Sequence, residues 1–320
     1  MGMEDTKHIF IVNPAAGARD RTTEIAGAIR AATVRTPIDY EILLTEAPRH
    51  AIQLVEKKTA EQPQRPLRFY ACGGDGTLKE VAEGCLRAPN AAFTHYPAGT
   101  GNDFIKVFGA ASERFRDLGE LIRGEVIELD GIESDCGLAL NVLSVGVDAR
   151  VADSMQKYKR LPLMRGQGPY LLATLEEVAK GLARPYSITV DGENYDGRYT
   201  LVVVLNGHCY GGGFTPVPES DVQDGLLDVL LVNAVSRLTA AKVIGAYKTG
   251  FYRDYPQYIT ALRARELTVF SPNEAPMEIN LDGEIVRSGH ISMRVAEKQM
   301  RVIVPAGVRP VVGTPRIRKK

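Results

Sequence analysis

Apolar residues follow two different rhythms along this chain. Up to about residue 125, short apolar runs alternate with stretches whose apolar positions recur every three or four residues, the spacing of one helix face. Residues 8–12, 40–44, 67–72 and 92–96 read as strands, and 20–32, 48–60, 78–86 and 112–123 as helices. Pro48 suits a first helical turn, where the missing N–H has no intrahelical partner to lose. Such alternation predicts a parallel sheet with helices on both faces.

Beyond about residue 130 the rhythm changes. Residues 138–147, 186–190, 199–205, 226–232, 266–270 and 276–281 read as strands, many separated by Gly, Asp and Asn, with helical patterns at 170–180 and 239–250. This half predicts a mainly antiparallel β-sandwich or barrel. The expected organisation is an α/β domain over 1–130, a β-rich domain over 131–305 and a tail over 306–320. No repeat or low-complexity linker divides them.

In the first half the polar loops fall after strands: NPAAG from Asn13, TEAP from Thr45, GGDGT from Gly73 and GTGND from Gly99. In a parallel sheet those loops gather at one edge, where such sheets bind ligands. Glycines let the backbone approach a ligand closely, and the N–H groups at a helix start favour an anion. Each glycine turn also carries an aspartate, Asp75 or Asp103, which would repel a phosphate unless a cation lies between. The combination points to a metal–nucleotide complex and to phosphoryl transfer. Neither the P-loop pattern nor GxGxxG after a strand occurs.

Composition narrows the classes. Apolar residues make up 44% and charged residues 24%, ordinary for a globular chain, and the formal net charge is zero, which argues against nucleic acid as a partner. Cys72, Cys85, Cys136 and Cys209 show no CxxC spacing and are expected as reduced thiols in a cytoplasmic protein. The five histidines are scattered, which argues against a zinc site. No signal peptide and no apolar run of transmembrane length is visible, so a lipid substrate would be met at the membrane surface.

The segments quoted so far, with VGVDARV from Val145, the block NGHCYGGGFTPVPESDVQDGLLDV from Asn206 and LDGE from Leu281, resemble the diacylglycerol kinase catalytic family in its soluble bacterial form, over nearly the whole chain. GGDGT alone is also similar to NAD kinases and phosphofructokinases; GTGND and the long block fit the lipid kinases better. The resemblance implies an ATP-dependent lipid kinase acting with Mg²⁺ on diacylglycerol or a related lipid, peripheral at the membrane, and a homodimer. It implies that Asn13, Thr45, Gly73, Gly74, Asp75, Gly76, Thr77 and Thr100 line the ATP site, with Asp75 acting through Mg²⁺ and Asn102 and Asp103 holding the cleft and its water–metal network. A second, structural magnesium would fall on Asp221, Asp224 and the carbonyl of Leu226; the alternative for that segment is a solvated acidic turn. Glu284 would be the general base that accepts the lipid hydroxyl proton, with Asp282 orienting it or joining the metal network. By residue type alone LDGE is also a hairpin turn.

Two positions depart from the family pattern. Lys79 stands where Asn is usual, and either reaches phosphate oxygens or faces solvent. The opening NPAAG lacks the hydroxyl of NPxSG. The basic segment 157–165 and the tail 316–320 are candidates for anionic lipid contact or for solvated charge, and the aromatic stretch 251–258 for a lipid entry, a dimer contact or core packing. Rival readings are a kinase for another lipid or alcohol, such as a sphingoid base or a glycerophospholipid, and a non-catalytic nucleotide- or lipid-binding relative.

Overall fold

A computed structural model describes residues 5–17, 19–99, 101–159, 176–177, 181–211 and 213–317. Thr100, the tail beyond Ile317 and most of the helical pattern at 170–180 lie outside these residues, as does the basic segment 157–165 except for the backbone of 157–159. The chain forms two compact units. The first comprises 1–131 and 296–311, the second 132–295 and 312–320.

The first unit runs β1 (Lys7–Val12), α1 (Thr22–Arg35), β2 (Asp39–Leu44), α2 (His50–Glu61), β3 (Leu67–Gly73), α3 (Asp75–Cys85), β4 (Ala91–Pro97), a 3₁₀ segment Phe104–Arg116, α4 (Leu118–Ile122) and the start of β5 (Glu125–Ser134). Its strands lie in the order β2-β1-β3-β4, all parallel. Ile9, Phe10, Ile11 and Val12 are all fully buried, as are Phe69, Tyr70, Ala71 and Cys72, the unbroken apolar character of strands covered on both faces. Helices α2 and α3 are joined chemically as well as by packing. The Glu80 carboxylate on α3 accepts the backbone N–H of Arg49 (2.9 Å) and of Ala51 (3.1 Å), satisfying donors at the start of α2 that no side chain of its own caps.

Two expected elements differ. Pro48 lies before α2, because Arg49 takes a left-handed conformation (φ 65°) and delays the helix to His50. The helix expected over 112–123 is instead a 3₁₀ segment and α4, split at Asp117, whose extended backbone lets its side chain cap α4 through Glu120 N (3.1 Å).

The second unit continues through β6 (Gly137–Ala139), β7 (Val142–Gly146), α5 (Val147–Lys159), β8 (Arg184–Val190), β9 (Glu193–Asn194), β10 (Gly197–Leu205), β11 (Leu227–Asn233), α6 (Arg237–Lys248), β12 (Ile259–Ala264), β13 (Glu266–Phe270), β14 (Met277–Leu281), β15 (Glu284–Ser288) and β16 (His290–Val304). The antiparallel ladder β12-β11-β10-β7-β14-β15 forms one layer, and β8, β13 and the first half of β16 belong to the other. The core between the layers takes alternate residues, so Val202 and Val204 of β10 point into it. Leu201, Val203 and Leu205 face the other way, onto a second cluster with Val243 and Tyr247 of α6. Tyr252, Tyr255 and Tyr258 pack against that same cluster, so the aromatic stretch is core. β16 ends in the first unit, where Val302 pairs in parallel with Phe93 of β4.

No helix among the described residues is long and apolar enough to cross a membrane. All four cysteines are free, three of them buried.

Candidate active site

In the first unit, the loops after β1, β3 and β4 are bonded into one cradle. Asn13 Nδ2 donates to Thr77 Oγ1 (2.9 Å), while Asn13 Oδ1 accepts from Ala15 N (2.9 Å) and so shapes its own turn. Thr45, at the end of β2, is tied in through its N–H to Val12 O (3.0 Å). The two glycine turns touch directly: a Cβ on Gly99 would lie 2.5 Å from Gly74 Cα, so only glycine allows the turns this close. The Gly73 carbonyl accepts from Ala98 N (2.8 Å), Gly99 N (3.1 Å) and His95 Nε2 (3.0 Å). Because a carbonyl can only accept, Nε2 of His95 carries the proton, and burial keeps that ring neutral by lowering its pKa.

The acidic residues meet across the same junction. Asp75 Oδ1 accepts the backbone N–H of Asp103 (2.7 Å), and Asp103 pairs with Lys106 one turn on. Asn102, the residue before Asp103, takes a left-handed conformation (φ 49°), with its Nδ2 on Gly99 O (3.0 Å). Its Oδ1 is buried with no hydrogen-bond partner among the described residues. Gly74 is the N-cap of α3 and supplies no side-chain cap, which leaves backbone donors aimed at the cradle. An orphaned acceptor, a helix start without a side-chain cap and two carboxylates fit a phosphate chain carrying its own cation.

In the second unit, LDGE is the hairpin turn between β14 and β15. Asp282 (φ 52°) and Gly283 (φ 95°) form a two-residue connection with both central residues left-handed, as a type I′ turn requires. The Asp282 carboxylate accepts three successive backbone N–H groups, of Leu140, of Asn141 (3.0 Å) and of Val142 (2.9 Å). These bonds clamp the turn to the start of β7 and present Glu284 as the exposed first residue of β15. The strand expected over 138–147 is divided here for the same reason, because Leu140 and Asn141 turn their donors to Asp282.

A second line of hydrogen bonds reaches that turn from beneath. Gly283 N donates to Asn280 Oδ1 (2.7 Å), Asn280 Nδ2 to Ser144 Oγ (3.4 Å), and Ser144 Oγ to Asp148 Oδ2 (2.6 Å). Every proton points toward Asp148, the arrangement expected of a line ending at a carboxylate. Burial pushes Asp148 up to about 6, against the opposing pull of its Ser144 and Ala149 bonds.

The proposed structural-metal segment lines a cavity of about 380 Å³ bounded by Glu219, Asp221, Asp224, Asp228, Arg253 and Arg263. Asp221 Oδ1 accepts from Gln223 N (3.0 Å) and Asp224 Oδ1 from Leu226 N (3.0 Å), so both carboxylates close local turns. Arg263 pairs with Asp224 and lies 3.5 Å from Asp228, and Arg253 pairs with Glu219. Burial raises the Asp228 pKa. Among the described residues no group of three or more acidic, His or Cys side chains is gathered as a metal cage. The hard-oxygen donors of a magnesium site are nonetheless present, with one of them held by a guanidinium.

Of the residues singled out from sequence, Asn13, Thr45, Gly73 to Thr77, Asn102 and Asp103 come together in the first unit. Asp221, Asp224 and Leu226 share one turn of the second unit, and Asp282 and Glu284 another. Lys79 is 5% exposed, so the solvent-facing alternative does not hold. Sequence reading gave no role to Lys106, His95, Asp148, Ser144 or Asn280. Asp148 stood inside the VGVDARV segment of the resemblance, and Asn280, two residues before the Asp-Gly turn, carried a local signal, since Asx residues beside turns hydrogen-bond their backbone.

Comparison with known proteins gives a consistent result. The diacylglycerol kinase catalytic domain family matches residues 7–133, and the YegS C-terminal NAD kinase beta sandwich-like domain matches 141–304. A Pseudomonas putida protein named "Probable lipid kinase YegS-like" is 30% identical over 242 residues, covering 75% of this chain and 77% of its own. A Xanthomonas campestris protein of the same name is 28% identical over 92% of this chain and 95% of its own. A crystal structure from Bacillus anthracis described as a diacylglycerol kinase superposes with a TM-score of 0.66 at 21% identity, covering 95% of this chain and 98% of the other. A second structure from that organism gives 0.71 at 22% identity, with 94% and 97% covered.

Proposed function

This chain belongs to the lipid-kinase family that joins a diacylglycerol kinase catalytic domain to a YegS-type β-sandwich, and from that premise we propose that it transfers the γ-phosphoryl group of ATP to the free hydroxyl of diacylglycerol, giving phosphatidic acid and ADP. One observation carries the reading: the glycine turns after β3 and β4 interlock at Gly74 and Gly99 beside an uncapped helix start, with Asp75 and Asp103 tied together. Backbone donors there suit phosphate oxygens, and the carboxylates suit the cation that accompanies them.

In this reading residues 73–77 and Asn13 hold the nucleotide phosphates, with Thr45 and Thr100 completing the nucleotide site. Asn102 and Asp103 fix the turn, and Asp75 takes the nucleotide's Mg²⁺. Glu284 accepts the proton of the lipid hydroxyl as the new O–P bond forms and the bond to ADP breaks. Mg²⁺, when bound, neutralises charge on the phosphates. Asp282 orients Glu284 by its three backbone bonds rather than by touching substrate. Asp221, Asp224 and the Leu226 carbonyl would hold a structural Mg²⁺, supplying the positive charge that Arg263 now brings to Asp224.

Substrate class is tested by offering γ-labelled ATP with diacylglycerol, a sphingoid base, a glycerophospholipid and a water-soluble alcohol, each lipid in mixed micelles. Label in phosphatidic acid above all other products supports the reading. Preferential labelling of another acceptor refutes diacylglycerol while keeping the kinase, and ATP binding without any labelled product refutes both.

A further inference from the structure

Helix α6 buries one face and leaves the other with an unusual surface. Val243, Ala246 and Tyr247 are buried. The opposite side carries Arg237, Leu238, Ala241, Lys242, Ile244, Gly245 and Lys248, all exposed and, at 3.6 residues per turn, within about half of the helix circumference. Leu238 is 79% exposed and Ile244 51%. No acidic residue occurs anywhere in α6, and its exposed face has no uncharged hydrogen-bonding side chain. A merely solvated helix face mixes both charge signs with polar side chains and keeps large aliphatics off it. Here three cations are interleaved with two aliphatics.

The end of the chain extends the same chemistry. Arg316 donates to Thr249 O (2.9 Å), just beyond α6, and Ile317 beside it is 64% exposed. Lys248 stands over the Phe214 ring at 5.2 Å, which fixes its stem while leaving the residue exposed. One more cation and one more aliphatic therefore join the patch.

We propose that the exposed face of α6, extended by Arg316 and Ile317, docks on an anionic phospholipid bilayer, its cations on headgroup phosphates and Leu238 and Ile244 at the acyl boundary. This rests on, and deepens, the reading of the chain as a kinase for a membrane-presented lipid. The choice of occupant follows from charge: a wholly basic face complements a phosphate surface, whereas a second copy would set like charges against each other.

The test is co-sedimentation of the full chain with phosphatidylcholine vesicles and with vesicles containing phosphatidylglycerol, using wild type, Leu238→Glu and Lys242→Glu. Both substitutions lie on exposed positions, so folding is expected to persist, checked by circular dichroism. Wild type is expected to sediment with the anionic vesicles, less so at high salt, and each variant to lose roughly ten-fold in vesicle affinity. Phosphorylation of a short-chain, water-soluble diacylglycerol stays within about two-fold of wild type, because the face lies outside the reacting groups. Wild-type sedimentation with neither vesicle, or variants that bind as wild type does, overturns the proposal. So does a dimer that Leu238→Glu dissolves without changing vesicle binding. Vesicle binding lost in the variants, with no kinase activity in any of the proteins, upholds the docking face and removes the kinase reading instead.

Discussion

Replacing Asp282 by Ala separates a clamp from a chemical group. Its carboxylate accepts N–H donors from Leu140, Asn141 and Val142, three residues that are at most 3% exposed. A hydrogen bond to a charged group contributes about 1.5–3 kcal/mol, and an abandoned buried donor costs about 1–3 kcal/mol. Alanine must also hold the left-handed φ of 52°, at a further cost of about 1 kcal/mol. Water can reach the exposed side of the turn and replace some of what is lost, so the expected destabilisation is about 3–5 kcal/mol, a large share of a typical folding free energy. Asp282→Asn keeps one acceptor and tolerates the left-handed conformation, and is expected to lose about 2 kcal/mol. Urea unfolding followed by circular dichroism measures both, since the chain has no tryptophan to report by fluorescence. In the same proteins kcat should fall with KM nearly unchanged, because a displaced turn misplaces Glu284. A loss below about 1 kcal/mol for Asp282→Ala would refute the clamp. Lost activity with intact stability would instead make Asp282 a participant in the chemistry.

The other predictions concern the cradle, the acidic cavity and two buried titrating groups. Gly99→Ala drives a methyl into Gly74 Cα and is expected to cost about 1–3 kcal/mol and to weaken ATP binding, by thermal shift and calorimetry; unchanged values would mean that the turns are not locked. Arg263→Gln removes the cation from Asp224, so the variant should be less stable in chelator and gain more in melting temperature from Mg²⁺ than wild type; equal gains would separate Arg263 from that site. His8, fully buried against Tyr70, has its pKa lowered to about 4 by burial. Below about pH 6.5 the unfolded chain takes up a proton that the folded chain refuses, so stability falls toward pH 4 by about 3 kcal/mol, and His8→Gln should remove that loss. Asp148, raised to about 6, acts in the opposite sense. Its folded form keeps a proton that the unfolded chain releases above about pH 4, so stability falls as pH rises from 4 to 6, again by about 3 kcal/mol. Unfolding of Asp148→Asn across pH 4–7 should lack that second slope; an unaltered profile refutes the assignment.

The elements best seen from sequence were those built from local signals. Unbroken apolar runs marked β1 and β3 because parallel strands are buried on both faces, and the glycine turns marked the cradle because no other residue fits there. The elements missed depend on distant partners. The run 138–147 looks like one strand, but Asp282, far along the chain, takes the donors of Leu140 and Asn141 and splits it. β16 alternates for much of its length yet has an interrupted polar stretch at Glu297–Gln299, and nothing local shows that it crosses from one unit to the other. Lys79 reads as a surface residue on charge alone, whereas its position in α3 buries it. The line from Gly283 to Asp148 joins two segments far apart in the chain, 280–283 and 144–148, so only the fold assembles it.

The proposed role of Glu284 is that of the base in phosphoryl transfer to diacylglycerol. It is tested most directly by measuring labelled phosphatidic acid formed from γ-labelled ATP and diacylglycerol in mixed micelles, with Mg²⁺, for wild type and Glu284→Ala. The exposed position of Glu284 makes a folding defect in the variant unexpected, and circular dichroism checks it. Wild type is expected to form product, and the folded variant to form it at a rate at least ~100-fold lower. Equal rates from the two proteins would contradict that role.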